Sequence, residues 1–145
     1  MNRAQFWMAI TADLQLVRLP AAALQGILRH LACDAEQAAM IELCVVEALN
    51  NAIEHAYAGH PLGRVELQLD IDTDMLEIKV TDTGHTMPDG TLERARAGLA
   101  EPPGEPREGG YGLGLIAEIM PDVAYRRVDD VNTLTMTIKL SRRPQ

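Results

Sequence analysis

The sequence predicts an α/β two-layer sandwich: a mixed, largely antiparallel sheet with helices on one face. Three alternating runs carry this reading. Val65, Leu67, Leu69 and Ile71 alternate with Glu66, Gln68 and Asp70; Leu76, Ile78 and Val80 with Glu77 and Lys79; Leu134, Met136, Ile138 and Leu140 with Thr135, Thr137 and Lys139. Clean alternation leaves one face of a sheet in water, so helices cover only the other.

The elements follow in order. Residues 5–11 read as an opening strand. A helical pattern then runs through Leu24, Ile27, Leu28 and Leu31, with Pro20 in its first turn or kinking it. Asp34 is an N-cap with Gln37 at the capping-box position, and opens a second helix that ends near Tyr57, before Gly59 and Pro61. The Asp72-Thr73-Asp74 turn joins the first two alternating runs as a hairpin. Between Gly84 and Gly110 the pattern dissolves into prolines and glycines around one short helix over 92–99, as expected of a lid or binding loop. A third main helix covers 112–120 and is halted by Pro121, and a strand over 123–128 precedes the last alternating run.

The 145 residues fit one domain, with the lid at about 85–110, and are enough to bury roughly two thirds of the unfolded surface. Thirteen basic residues against 21 acidic ones give a net charge of −8, which opposes a phosphate backbone, so proteins are expected as partners and nucleic acid is not. Cys33 and Cys44 lack metal-ligand spacing and read as small buried hydrophobes with reduced thiols. No signal peptide or membrane span is evident, so a cytoplasmic protein is expected.

Three segments carry chemistry. Glu47, Asn51 and His55 recur every fourth residue, which stacks a carboxylate, an amide and an imidazole on one helical face. Asn51 can offer its carbonyl to Mg²⁺, which takes its other ligands from phosphates and water. Glu47, one turn earlier, can take a proton from a hydroxyl or water attacking a γ-phosphate. His55 either orients groups at the site or is structural, and the whole row also fits a solvated helix face. Asp82, before Thr83 and Gly84 at a strand end, can accept the exocyclic amine of adenine, or can simply make an Asx turn. Gly110, Gly112 and Gly114 open a helix, where backbone N–H groups can reach phosphates, or they merely cap a loop. Neither a dinucleotide-binding fingerprint nor a P-loop fits, since a proline-rich loop precedes the glycines and both lysines lie in strands.

Taken in order, the three segments resemble the boxes of the GHKL (Bergerat-fold) ATPases. Glu47-Ala48-Leu49-Asn50-Asn51-Ala52-Ile53-Glu54-His55-Ala56-Tyr57 is similar to the N-box of the anti-sigma-factor serine kinases. Asp82-Thr83-Gly84 matches the adenine box, and Gly110-Tyr111-Gly112-Leu113-Gly114-Leu115 the glycine box after the lid. The resemblance spans about residues 14–140. It implies Glu47 as general base, Asn51 as Mg²⁺ ligand and Asp82 as adenine reader. Gly84, Gly110, Gly112 and Gly114, with Tyr111 and Leu113 between them, would line the nucleotide pocket. Thr86 stands where the family often has a second glycine, and the glycine box lacks the family's arginine, leaving Arg107 upstream to take its place.

The expected function is that of a serine/threonine protein kinase that uses Mg-ATP to phosphorylate an anti-sigma-factor antagonist and otherwise sequesters a sigma factor, acting as a homodimer. The alternative is a nucleotide-responsive anti-sigma or adaptor module with little or no kinase activity. A free-standing ATPase is a third reading.

Overall fold

The computed structural model describes residues 2–57, 63–97 and 111–144. Strand β1 (Arg3–Thr11) leads through a 3₁₀ turn (Leu14–Leu16) into helices α1 (Arg18–His30) and α2 (Ala35–Asn51). The hairpin β2 (Arg64–Asp72) and β3 (Met75–Asp82) follows, then α3 (Thr91–Ala97), α4 (Tyr111–Ile119) and a second hairpin, β4 (Asp122–Val128) and β5 (Val131–Lys139).

The sheet order is β1-β2-β3-β5-β4. The sequence left room for a mixed sheet, but all four pairings between these strands are antiparallel. The second hairpin returns along β3 through its last strand, which puts β5 beside β3 and leaves β4 at the edge. On the water-facing side Trp7, Gln68, Lys79, Thr135 and Ala124 form one cross-strand row, with Trp7 62% exposed. On the other side Leu67, Leu69, Leu76, Ile78 and Met136 meet Leu24, Leu28, Ile41, Val45 and Leu49 of the helices, all buried. Each such side chain contributes about 1.5–3 kcal/mol on burial. Helix propensities differ by only about 0.7 kcal/mol per residue, so the packed face decides where α1 and α2 lie.

Local signals account for the helix ends. Pro20 sits in the first turn of α1, where a missing N–H costs nothing, and does not kink it. Asp34 accepts from the Gln37 N–H at 3.2 Å, as an N-cap should. The capping box is only half made, because the Gln37 side chain turns to the C-terminal segment. It donates to the Lys139 carbonyl at 3.0 Å and accepts from the Ser141 N–H at 2.7 Å. Helix α3 begins one residue earlier than expected, and residues 98–99 of the expected helix lie outside the described residues. Cys33 and Cys44 are free and buried. Burial, with the Glu47 charge adding to it, pushes the Cys44 thiol up to about 11, which fits packing and not reactivity. No helix among the described residues is long and apolar enough to cross a membrane.

Candidate active site

Helix α2 does not stop at Asn51 but widens into a π-helical turn over Ala52–Ala56. The α-helical spacing therefore holds from Glu47 to Asn51 and breaks before His55, so the row read from the sequence is straight only in its first half. Ile53, Ala56 and Tyr57 are buried in the turn and anchor it against the sheet. The Tyr57 hydroxyl donates to the Arg64 carbonyl and accepts from the Thr83 N–H, both at 2.7 Å. The Ala56 carbonyl accepts from the His85 N–H at 2.8 Å. Gly84 lies so close to the Ala56 carbonyl that no Cβ fits there. The end of α2 and the Asp82-Thr83-Gly84 turn are thus one bonded unit, although 25 residues separate them in the chain.

Beside this unit lies a cavity of about 260 Å³. Asn51, His55 and Ala56 line one wall, Leu113 of α4 another, and Asp82, Val80 and Leu134 the floor. Met87 and Thr91, from the segment after β3, also face it. Of the residues expected at a site, Asn51, His55, Asp82 and Leu113 are brought together here. Glu47 is half-buried just beyond the lining, against the start of α4: a Cβ on Gly112 would lie 2.6 Å from its Oε2 and 3.4 Å from Nδ2 of Asn51. Gly112 therefore lets α4 close onto the carboxylate and the amide. Gly114 faces the Ala95 carbonyl of α3 at ordinary contact distance, with room for a Cβ. Arg107 and Gly110 lie outside the described residues, as does the side chain of Tyr111.

Two polar groups at the cavity stand out. Nδ2 of Asn51 is buried without a hydrogen-bond partner, and an orphan of that kind calls for an explanation. Asp82 is only 8% exposed. Burial pushes its carboxyl above the ordinary range, opposed by hydrogen bonds from Asn132 and the Gly84 N–H and by the Arg127 charge. The Gly84 N–H bond to Asp82 Oδ1, at 3.0 Å, is an Asx turn. The Asx turn expected of this residue is made, and the same residue lines the cavity.

Sequence reasoning missed the second strand pair as part of the site. Asn132, wholly buried on β5, donates to Asp82 Oδ1 at 2.7 Å and accepts from Arg127 of β4 at 2.8 Å. Tyr125 of β4 accepts from the Met87 N–H at 3.0 Å and so holds the segment after β3. The signal for Asn132 was the alternation itself. Extended two residues back from Leu134, it places an amide in the inward series of apolar side chains.

Comparison with known proteins agrees with this geometry. The histidine kinase-like ATPase domain family matches residues 10–138. Serine-protein kinase RsbW of Oceanobacillus iheyensis is 30% identical over 121 residues, covering 80% of this chain and 75% of that protein. Serine/threonine-protein kinase BtrW of Bordetella bronchiseptica is 32% identical over 98 residues, covering 67% of each. Among solved structures, the RsbU and RsbW domains of a Mycobacterium tuberculosis protein superpose with a TM-score of 0.69 at 20% identity. That match covers 97% of this chain and only 33% of the other. SiaB, in the SiaB-SiaC complex of Pseudomonas aeruginosa, gives a TM-score of 0.66 at 15% identity, covering 92% of this chain and 88% of that one. At such identities the two structures speak for the fold alone. The sequence matches go further: the chain belongs to the histidine kinase-like ATPase domain family, among the serine/threonine-protein kinases of the RsbW kind.

Proposed function

We propose that this chain binds Mg-ATP in the cavity between α2, α4 and the sheet and transfers the γ-phosphoryl group to a serine or threonine of an anti-sigma-factor antagonist. The observation that carries the reading is the meeting of Glu47, Asn51 and Gly112 at one end of a cavity that has Asp82 at its floor. Adenine lies on the floor, its exocyclic amine donating to Asp82, and the phosphates run toward the start of α4. There Gly112, with Gly110 and Gly114 in the same segment, presents backbone N–H groups to them.

The residues present fit a magnesium ion. Asn51 lines the cavity wall with a neutral amide whose oxygen suits a hard cation that keeps water and phosphate ligands, while its unpaired Nδ2 is a donor that a phosphate oxygen would satisfy. Asn51 would hold the ion, and it would supply charge neutralisation at the β- and γ-phosphates. Glu47 takes the proton from the partner's hydroxyl as its oxygen attacks the γ-phosphorus in line, and ADP leaves. Leu113 packs beside the nucleotide, His55 orients groups at the rim, and Arg107 of the lid reaches the terminal phosphates.

In the alternative complex the chain holds a sigma factor. It works in the cytoplasm as a homodimer, without touching nucleic acid or membrane. A phosphate added to the antagonist would face Glu47 and Glu54, and repulsion between these charges releases that partner. The test is transfer of label from γ-labelled ATP to the cognate antagonist. Glu47→Gln should bind ATP normally and lose transfer by a factor of about 10²–10⁴. A wild-type rate in that variant would overturn the base assignment. Tight ATP binding by the wild type with no transfer to any partner would select the nucleotide-responsive module instead.

A further inference from the structure

Asp82, Asn132 and Arg127 are consecutive cross-strand partners: Asp82 pairs with Asn132 between β3 and β5, and Asn132 with Arg127 between β5 and β4. They form one row at the end of the sheet where the cavity opens. Directly opposed residues share a face, so the three side chains meet in a line. Nδ2 of Asn132 faces acceptors only, namely Asp82 Oδ1 at 2.7 Å, the Gly84 carbonyl at 3.1 Å and the His85 carbonyl at 3.3 Å. Its Oδ1 accepts from Nη1 of Arg127 at 2.8 Å, and the same Nη1 donates to the Gly84 carbonyl at 3.0 Å. The amide has one tolerable orientation. Flipped, it would set its oxygen against a carboxylate and its nitrogen against a guanidinium.

We infer that Asn132, braced by Arg127, is the positioning residue that sets how the site discriminates nucleobases. The inference rests on the proposed binding of ATP with its base on Asp82. Asn132 and the Gly84 N–H both donate to Oδ1 of Asp82, which leaves Oδ2 of this cavity-lining residue as the acceptor for a ligand. An ionised oxygen there accepts from an exocyclic amine, as adenine offers. A protonated one donates, and would suit the carbonyl that guanine carries at the same position. Burial pushes Asp82 toward the protonated form, while the Asn132 bond and the Arg127 charge push it back. The row thus aims the base reader and opposes the protonation that burial favours. Neither Asn132 nor Arg127 is among the residues lining the cavity.

Calorimetric titration of the full chain with Mg²⁺ and either ATP or purine riboside triphosphate tests this. The second ligand carries hydrogen where adenine has its amine, so the ratio of the two affinities reads the Asp82 contact and little else. The wild type should prefer ATP by about tenfold or more, as a charge-assisted hydrogen bond provides. In Asn132→Leu the preference should fall to within about twofold, with the affinity for the amine-free ligand changed by less than about threefold. Arg127→Leu, at the sheet edge, should give an intermediate preference. Retention of the wild-type preference in Asn132→Leu, or parallel loss of both ligands, overturns the inference. If Asn132→Leu does not fold, an unchanged preference in Arg127→Leu overturns it. Should the wild type bind both ligands equally, the placement of adenine on Asp82 fails together with the inference. Should it bind neither, the ATP reading itself fails.

Discussion

Gly112 and Glu47 touch across the junction of α4 and α2, where a Cβ at position 112 would sit 2.6 Å from Oε2 of the carboxylate. The obstructed atom is the far end of a flexible side chain, so Gly112→Ala displaces the carboxylate and leaves the helices where they are. Alanine is also the better helix former, by up to about 1 kcal/mol. The variant should melt at or above the wild-type temperature and bind ATP within a fewfold. Phosphoryl transfer should fall by about 10²-fold, the usual consequence of displacing a reacting group by about 1 Å. Unimpaired transfer would show that Glu47 does its work from another position.

Under the proposed binding mode, Asp82 couples stability and nucleotide affinity with opposite signs. Folding raises its pKa above the ordinary 3.8, so its contribution to stability is fully present below that value and is lost as pH rises through the folded value. With adenine placed on Asp82 as proposed, nucleotide affinity runs the other way, since the amine needs the ionised acceptor. Asp82→Asn removes the titration and keeps an oxygen for the Gly84 and Asn132 donors. As pH rises from the ordinary 3.8 through the raised folded value, the variant should gain stability relative to the wild type. At neutral pH its affinity for ADP should be lower by about tenfold or more. Paired thermal melts and titrations across that range check both signs. A variant less stable than the wild type at neutral pH would mean that the Asn132 and Gly84 bonds outweigh the burial of the charge.

Gly84 meets backbone where Gly112 meets a side-chain tip. A Cβ there collides with the carbonyl of Ala56, which cannot move without breaking its hydrogen bond to the His85 N–H. Gly84→Ala should cost about 1–3 kcal/mol in overpacking, with about 1 kcal/mol more for the bond. A urea midpoint lowered in proportion, with nucleotide affinity reduced as well, is the expected result. A midpoint equal to that of the wild type would mean that the π-helical turn and the Asp82 loop are not rigidly joined.

These contrasts show which parts of the site were legible from the chain. Alternation marked β2, β3 and β5, and the spacing of Glu47 and Asn51 survived because both lie in regular α-helix. His55 left the row because the π-helical turn intervenes, and a π-turn depends on long-range bonds from Tyr57 to Arg64 at the start of β2 and from Ala56 to His85 after β3. The pairing of Asn132 with Asp82 was hidden for a related reason. A single amide in a strand acquires meaning only when the register is known, and here the register joins residues 50 positions apart. Intermediate in this respect is Asp34, whose cap was readable, whereas the diversion of Gln37 to Lys139 and Ser141 was not.

Ala32 offers a stabilising change far from the chemistry. Helix α1 ends with the Cys33 N–H donating to the Leu28 carbonyl and the Ala32 N–H to the Arg29 carbonyl, both at 3.0 Å, the bond pattern that closes a helix through one left-handed residue. That residue is Ala32, with φ 56°. A side chain in this conformation costs roughly 1–2 kcal/mol, which glycine does not incur. Glycine also loses more conformational freedom on folding, by about 0.4–1 kcal/mol. Ala32→Gly should therefore raise stability by a net of about 0.5–1 kcal/mol. The Ala32 carbonyl keeps its bond from the Arg143 N–H at 2.8 Å, so the C-terminal segment stays docked. The urea midpoint should rise with an unchanged slope, and ATP affinity should not move, because no residue of this turn lines the cavity. A lowered midpoint would mean that unfolded-state entropy outweighs the strain at Ala32.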